Sequence, residues 1–351
     1  MMSMAVIRVR VTSWLWCRRL ADLAPYREQK ERGHCDDVFL YSCVQVFRNS
    51  CIPVINVRQN WLPVSFRSSS SWHCDRERMP YSVRVLEALS DNHMYLIIDA
   101  ATKTAAVIDP VDAPLCVKTA AAEGSTIVMA LTTHHHYDHA GGNKDLKRLL
   151  PSVEIIGGER VEACTRQVVD AEVLKLGESE LRCVHTPSHT AGHMSYLVVG
   201  GAEQPSAVFT GDSMFIGGCG RLFEGGPDQM LAALQKLGSL PPETLLYDGH
   251  EYTVKNLQFS LKVEPENIDA QRKIVWAQEQ VKKGGVTCPS TIGEQHLYNP
   301  FLRTGQSTVQ AHVGLGGTDQ VAVMRKLRNA KDKFAGSSRP WIPGGGPLPG
   351  L

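Results

Sequence analysis

The chain contains no run of about 18 consecutive apolar residues, so no membrane-spanning helix is expected. It also lacks a charge excess: 37 Lys and Arg face 36 Asp and Glu, a formal net charge of +1. That balance gives no electrostatic footing for nucleic acid or an acidic membrane surface. Ten cysteines are scattered with no C-x-x-C pair and no regular spacing. A disulfide scaffold is therefore not expected, and free thiols in a reducing compartment are. What is present fits a globular protein with a real core: 43% apolar and 21% charged residues. At 351 residues the chain exceeds the usual single-domain size, so one large domain with an addition is expected.

Residues 1–79 differ in composition from the rest. Arg8, Arg10, Arg18, Arg19 and Arg27 stand against a single early acid, Asp22. A basic, acid-poor composition with interspersed apolar residues is that of a mitochondrial presequence; a leader without structural role is the alternative. Met79 offers an internal start for a cytosolic form, so mitochondrial matrix, cytoplasm or both are expected. From Ser82 onward short β-rich runs are bounded by turn formers such as Asp91-Asn92 and Asp109-Pro110. Helix-like and strand-like segments then alternate to about His250. The pattern predicts an α/β fold, an αββα sandwich of two mixed sheets with helices outside, over 80–254. Residues 255–335 read as a smaller helical domain, with helices over 255–263, 267–283 and 320–334. Ser290 or Thr291 is placed to cap a short helix between them. The Gly/Pro-rich tail, 336–351, is expected to be disordered.

The chemistry concentrates in Thr133-His134-His135-His136-Tyr137-Asp138-His139. In an extended segment alternate side chains share a face, so His134 and His136 converge while His135 points away. Asp138 and His139 fall where Gly141-Gly142 bends the chain, and can serve a neighbouring ion. His189, Asp212 and His250 follow singly, each beside a predicted strand end. Imidazole and carboxylate donors without thiolate suit zinc, iron or manganese in an open site. A lone His189 or His250 is more often an ordinary histidine, and Asp212 in Thr-Gly-Asp a turn residue. Four strong ligands within six residues, however, have no packing purpose. Asp212 is the candidate to bridge two ions, which together can share and acidify a water. His185, His193 and His296 are not expected as ligands; His193 is near enough in sequence to support His189.

These residues resemble the metallo-β-lactamase superfamily, and within it glyoxalase II, the hydroxyacylglutathione hydrolases. The likeness runs from about Ser82 to Phe334. Further stretches that carry it are Asp91-Asn92-His93-Met94-Tyr95-Leu96, Gly218-Cys219-Gly220-Arg221, Gly249-His250-Glu251-Tyr252-Thr253, Val263-Glu264-Pro265 and Tyr298-Asn299-Pro300-Phe301. The resemblance implies two divalent ions per chain, zinc with iron or manganese as alternatives. It assigns His134, His136 and His189 to one, and Asp138, His139 and His250 to the other. Asp212 and a hydroxide would bridge them, making Asp138 and Asp212 the catalytic carboxylates. The implied reaction is hydrolysis of S-2-hydroxyacylglutathione thioesters such as S-D-lactoylglutathione, in methylglyoxal detoxification; the chain itself is expected to be a monomer.

Glutathione carries carboxylates, and the last helix puts Arg325, Arg328 and Lys331 on one face. Taken alone such a face is simply solvated. The resemblance implies that Arg328 and Lys331 bind the glycine carboxylate, that Tyr252 bonds the peptide, and that Arg221 contributes its charge. Two positions depart from the family, which usually has Lys at 221 and Tyr at 223. Arg221 keeps the charge with a different donor geometry, and Phe223 loses a hydroxyl worth about one net hydrogen bond, roughly 1 kcal/mol. Two other readings stand beside the hydrolase: an iron-dependent glutathione persulfide dioxygenase on the same fold, and a non-catalytic metal-binding paralogue.

Overall fold

The computed structural model describes residues 80–336, apart from 203 and 318. The expected leader (1–79) lies outside these residues, as does nearly all of the expected tail.

Two six-stranded sheets face each other. The first has the order β1 (Tyr81–Ala88), β2 (Asn92–Asp99), β3 (Thr104–Ile108), β4 (Thr126–Thr132), β5 (Glu154–Gly157), β6 (Arg166–Gln167). Its first three strands are an antiparallel meander, and β3 to β6 are parallel. Strand β2 is buried along its whole length, and its period of two divides its side chains cleanly. Tyr95 and Ile97 enter the core between the sheets, while Met94, Leu96 and Ile98 meet a second apolar cluster. That second cluster contains Ala113, Cys116 and Ala120 of α1 (Ala113–Ala122) and Leu146 of α3 (Asn143–Leu149); the single-turn α2 (Tyr137–Ala140) lies between them in sequence. Asp112 caps α1 by accepting from the Leu115 amide at 3.0 Å.

The other sheet runs β14 (Ser290–Thr291), β13 (Leu245–Asp248), β10 (Ala207–Gly211), β9 (Met194–Val198), β8 (Ser179–His185), β7 (Val173–Leu176). Strands β13 and β10 are parallel, and two antiparallel steps through β9 make β8 parallel to β10 as well. The carboxyl ends of β8, β10 and β13 therefore reach one edge of the sandwich. A hairpin of β11 (Met214–Phe215) and β12 (Gly218–Cys219) projects after β10. Helix α4 (Pro227–Gly238) then buries Met230, Leu231, Leu234 and Leu237.

After His250 the chain is mostly helical: α5 (Thr253–Val263), α6 (Ile268–Lys282), α7 (Ile292–Tyr298), α8 (Ser307–His312) and α9 (Gln320–Asp332). The expected boundary between residues 254 and 255 falls inside α5. This C-terminal part shares one apolar cluster with the sandwich, through Leu257, Phe259, Ile274, Phe301, Met324 and Leu327. Strand β14 extends the second sheet by pairing Leu245 with Thr291. Thr291 also caps α7, accepting from the Glu294 amide at 3.1 Å. Among the described residues no helix is long and apolar enough to cross a membrane.

Candidate metal centre

Strand β4 delivers the histidine-rich segment in extended form, with His136 at φ −61° and ψ 145° just before α2. His134 and His136 accordingly turn to the same side. His136 Nδ1 lies 2.9 Å from His134 Nε2 and 3.0 Å from His189 Nε2, so three ring nitrogens converge. His135 points elsewhere, onto Arg160 at 2.8 Å. A second group forms one turn on. His139 Nε2 lies 3.2 Å from His250 Nε2, and Asp138 Oδ2 is 3.5 and 3.3 Å from the same two nitrogens.

Asp212 lies between the two groups. Its Oδ2 is 3.4 Å from His189 Nε2, and its Oδ1 is 3.3 Å from His139 and 3.5 Å from His250. One carboxylate thus offers an oxygen to each cradle. Backbone without side chains makes room for it. A Cβ at Gly249 would stand 2.5 Å from Asp212 Oδ1, and one at Gly220 would stand 2.9 Å from His189 Nδ1. Only glycine allows so close a pass.

The outer nitrogens of the imidazoles are held as well. His139 Nδ1 is 2.9 Å from Asp109 Oδ2. The same carboxylate accepts from the Thr133 hydroxyl at 2.7 Å and the Thr133 amide at 2.6 Å, and that hydroxyl is 3.0 Å from His134 Nδ1. His250 Nδ1 is 2.9 Å from Asp91 Oδ1, and Asn92 donates to Asp138 Oδ2 at 3.2 Å. Such contacts fix ring orientation and tautomer. Asp109 reads in the sequence only as a turn former, and Asp91 as a turn former within a stretch that carries the family likeness. His189 Nδ1 donates to the main-chain oxygen of Arg221 at 3.0 Å. His193 meets the His189 ring edge-on at 6.3 Å, and it also stacks on His134 at 5.1 Å and bonds Thr186 at 2.9 Å. His185 and His296 bond main-chain oxygens of Ala191 and Gly238.

The electrostatics suit cation binding. Burial and the neighbouring imidazoles of His139 and His193 push His134 well below its usual range, and burial also lowers His189. Burial alone would raise the Asp212 carboxyl, but His139, His250 and His189 hold it well below the carboxylate range. A hydrogen bond from His250 does the same for Asp138. His139 and His250 are raised in turn, against burial, by Asp212 and Asp109 and by Asp138 and Asp212, so a metal bound there would displace protons from these two rings. The nitrogen and oxygen donor set, in two adjoining groups, fits a pair of divalent ions.

A cavity of about 500 Å³ opens beside His189 and Asp212 and extends to Arg221, Phe223, Tyr252, Lys255, Arg328 and Lys331. Tyr252 stacks on His250 at 4.7 Å, and the exposed Phe223 meets the rings of His136 and His189 edge-on. Lys331 is half-buried, donates to the Lys255 main-chain oxygen at 3.2 Å, and is pushed down to about 7 by burial, Arg328 and Lys255. Arg328 is only 4% exposed, and its donors are taken within the chain by Cys219 and Asp332. Arg325 lines a neighbouring cavity with Arg221 and Phe223. Lys255 escaped the sequence reading, because nothing in its local pattern sets it apart.

Residues 90–250 match the model of the metallo-beta-lactamase superfamily, and residues 251–334 match that of the hydroxyacylglutathione hydrolase C-terminus. The cytoplasmic hydroxyacylglutathione hydrolase of Arabidopsis thaliana is 45% identical, over 71% of this chain and 97% of that protein. The hydroxyacylglutathione hydrolase-like protein of Gallus gallus is 43% identical, over 72% of this chain and 90% of its own. The crystal structure of ETHE1 from Myxococcus xanthus aligns with a TM-score of 0.50 at 25% identity, covering 71% of this chain and 99% of that one. A metallo-beta-lactamase from Staphylococcus aureus aligns at 0.51 and 23% identity, covering 75% and 68%, a likeness of fold.

Proposed function

This chain belongs to the hydroxyacylglutathione hydrolase family of the metallo-beta-lactamase superfamily, and from that premise we propose that it hydrolyses S-2-hydroxyacylglutathione thioesters to glutathione and a 2-hydroxy acid. The observation that carries this reading is the single cavity joining His189 and Asp212 to the cations Arg221, Lys255 and Lys331. It pairs a hydrolytic centre with the charges that a tripeptide bearing carboxylates requires.

His134, His136 and His189 would hold one ion, and Asp138, His139 and His250 the other, with Asp212 between them; zinc is the metal we infer. Two such ions, when bound, acidify water and polarise a carbonyl oxygen. The protein orients the substrate. Lys331 and Arg221 face the glutathione carboxylates, Tyr252 offers its hydroxyl to the peptide, and Phe223 covers the imidazoles on the open side. A thioester is already activated, so no Ser or Cys nucleophile is needed. Arg328 contributes chiefly by holding the wall of the cavity.

The purified full chain should release glutathione from S-D-lactoylglutathione without consuming oxygen, and should lose that activity on chelation. No turnover with a full metal complement would refute the assignment. Oxygen uptake with glutathione persulfide would favour the dioxygenase reading, against which the match of residues 251–334 to the hydrolase C-terminus stands. For location we infer the mitochondrial matrix, the cytoplasm or both, from the basic composition of residues 1–27 and the cytoplasmic Arabidopsis relative. A reporter fused to residues 1–79 that stays cytosolic would remove the matrix.

A further inference from the structure

A buried cluster of donors that the hydrolytic reading does not use surrounds His93. His93, Asp248 and Cys288 are 2%, 1% and 7% exposed, and they come from β2, the end of β13 and the segment before β14. One ligand atom from each lies within 4.8 Å of the others. Glu251 adds a carboxylate, its Oε2 3.7 Å from His93 Nε2.

Every side chain in this group is an electron-pair donor. His93 Nδ1 faces Asp248 Oδ1 at 3.3 Å, while Asp248 Oδ2 accepts the Ile216 amide at 3.0 Å. Glu251 accepts the amide and hydroxyl of Thr287 at 2.8 and 2.6 Å. The Tyr95 hydroxyl lies 3.6 Å from Cys288 Sγ, but its proton serves the main-chain oxygen of Asp248. That leaves His93 Nε2 buried with no hydrogen-bond partner. With Nδ1–H turned to Asp248, the Nε2 lone pair belongs to a carboxylate-oriented imidazole, the arrangement that presents histidine to a metal. Carboxylates, an imidazole and a thiol packed together in the interior call for a cation or a proton among them. Cys288 also supplies a soft donor that the hydrolytic centre lacks, and a closed set of nitrogen, oxygen and sulfur suits structural zinc.

We propose that His93, Asp248 and Cys288, with Glu251, form a separate structural site for a zinc-like divalent ion. It would tie β2 and β13 of the two facing sheets to the segment that leads into the C-terminal helices. The site is independent of the reaction assigned to the chain. The competing occupant is a proton, which would make His93 an imidazolium between Asp248 and Glu251.

Cobalt(II) distinguishes the two. A cysteine ligand gives a thiolate-to-cobalt charge-transfer band in the near ultraviolet, and the nitrogen and oxygen ligands of the dinuclear centre give none. The full chain, stripped of metal and titrated with cobalt(II), should develop this band. Cys288→Ser should lose both the band and a single metal equivalent per chain, with the far-ultraviolet circular dichroism unchanged. Absence of the band in the unmodified chain at saturating cobalt, or its persistence in Cys288→Ser, would overturn the proposal. Should Cys288→Ser not fold, His93→Gln decides: loss of the same equivalent supports the site, and an unaltered spectrum sinks it.

Discussion

The Arg328 guanidinium donates to the main-chain oxygen of Cys219 at 2.7 Å, and the same strand-to-loop segment ends at Arg221, whose carbonyl holds His189 Nδ1 at 3.0 Å. A residue of α9 therefore braces the backbone that orients a candidate metal ligand. Cation–π contact with Phe301 at 5.4 Å and the ion pair to Asp332 at 3.0 Å fix the guanidinium in place. Arg328→Lys keeps the charge and loses the fork. A hydrogen bond to a charged group contributes about 1.5–3 kcal/mol, so metal affinity should fall roughly tenfold or more, together with a rise in KM. Competition with a chelator measures the first and steady-state kinetics the second. A change in KM with metal affinity untouched would confine Arg328 to substrate contact.

Asp109 serves His139 and Thr133 at once, at 2.9 and 2.7 Å, and through the Thr133 hydroxyl reaches His134. Asp109→Asn keeps the shape but offers an amide where His139 Nδ1–H needs an acceptor. Loss of an outer partner of a metal ligand typically costs about 10–100-fold in metal affinity or activity. Metal content after dialysis and kcat are expected to fall by that order. Asp91→Asn should do the same through His250, whose Nδ1 it holds at 2.9 Å.

These two carboxylates show where the sequence stops being legible. The convergence of His134 and His136 is local geometry, a consequence of alternation in an extended segment, so spacing alone anticipates it. Asp109 reaches the site only because β3 pairs in parallel with β4, bringing Ile108 opposite Leu131. That register is a tertiary fact, and the local pattern shows merely a turn before proline. The Arg221 carbonyl that orients His189 is main chain, and side-chain identity carries no signal for it. Arg328 misleads in the other direction: a basic residue on a helical face reads as solvated, yet backbone oxygens of the β12 loop capture it.

Lys331 gives the site a pH dependence with a definite sign. Burial, Arg328 and Lys255 push its ammonium down to about 7, against an opposing pull from Cys219 and Asp332. A substrate carboxylate binds the protonated form, so KM should rise as pH climbs through about 7. The stability effect runs the other way. With the folded pKa below the unfolded value of 10.5, the unfolded chain binds more protons between about 7 and 10.5, so this group adds stability as pH rises through that window. Lys331→Arg should flatten the rise in KM, because arginine stays charged. A KM profile in the variant that still climbs through neutral pH would assign the titration to another group.

Phe223 sits 60% exposed at the mouth of the cavity, its ring 5.2 Å from that of His189. Phe223→Tyr adds a hydroxyl without disturbing packed neighbours. If the ring flanks bound glutathione, one net hydrogen bond of about 1 kcal/mol should lower KM about fivefold and leave kcat unchanged. An unaltered KM would place the substrate away from this residue.

Gly249 tests the bridging role of Asp212 without touching a ligand. The close pass of its backbone leaves 2.5 Å between a built Cβ and Asp212 Oδ1, and 3.0 Å to His139 Cε1. Gly249→Ala must therefore displace the carboxylate, because Asp212 is held in a buried position between both groups of imidazoles. A displacement on the order of 1 Å at a reacting centre costs about 100-fold in rate. The variant should fold, retain the C-terminal helices by circular dichroism, and lose kcat far more than KM. Metal titration separates the causes. Weaker binding of one ion only would mean that Asp212 serves a single cradle, whereas coupled weakening of both is the behaviour of a shared ligand.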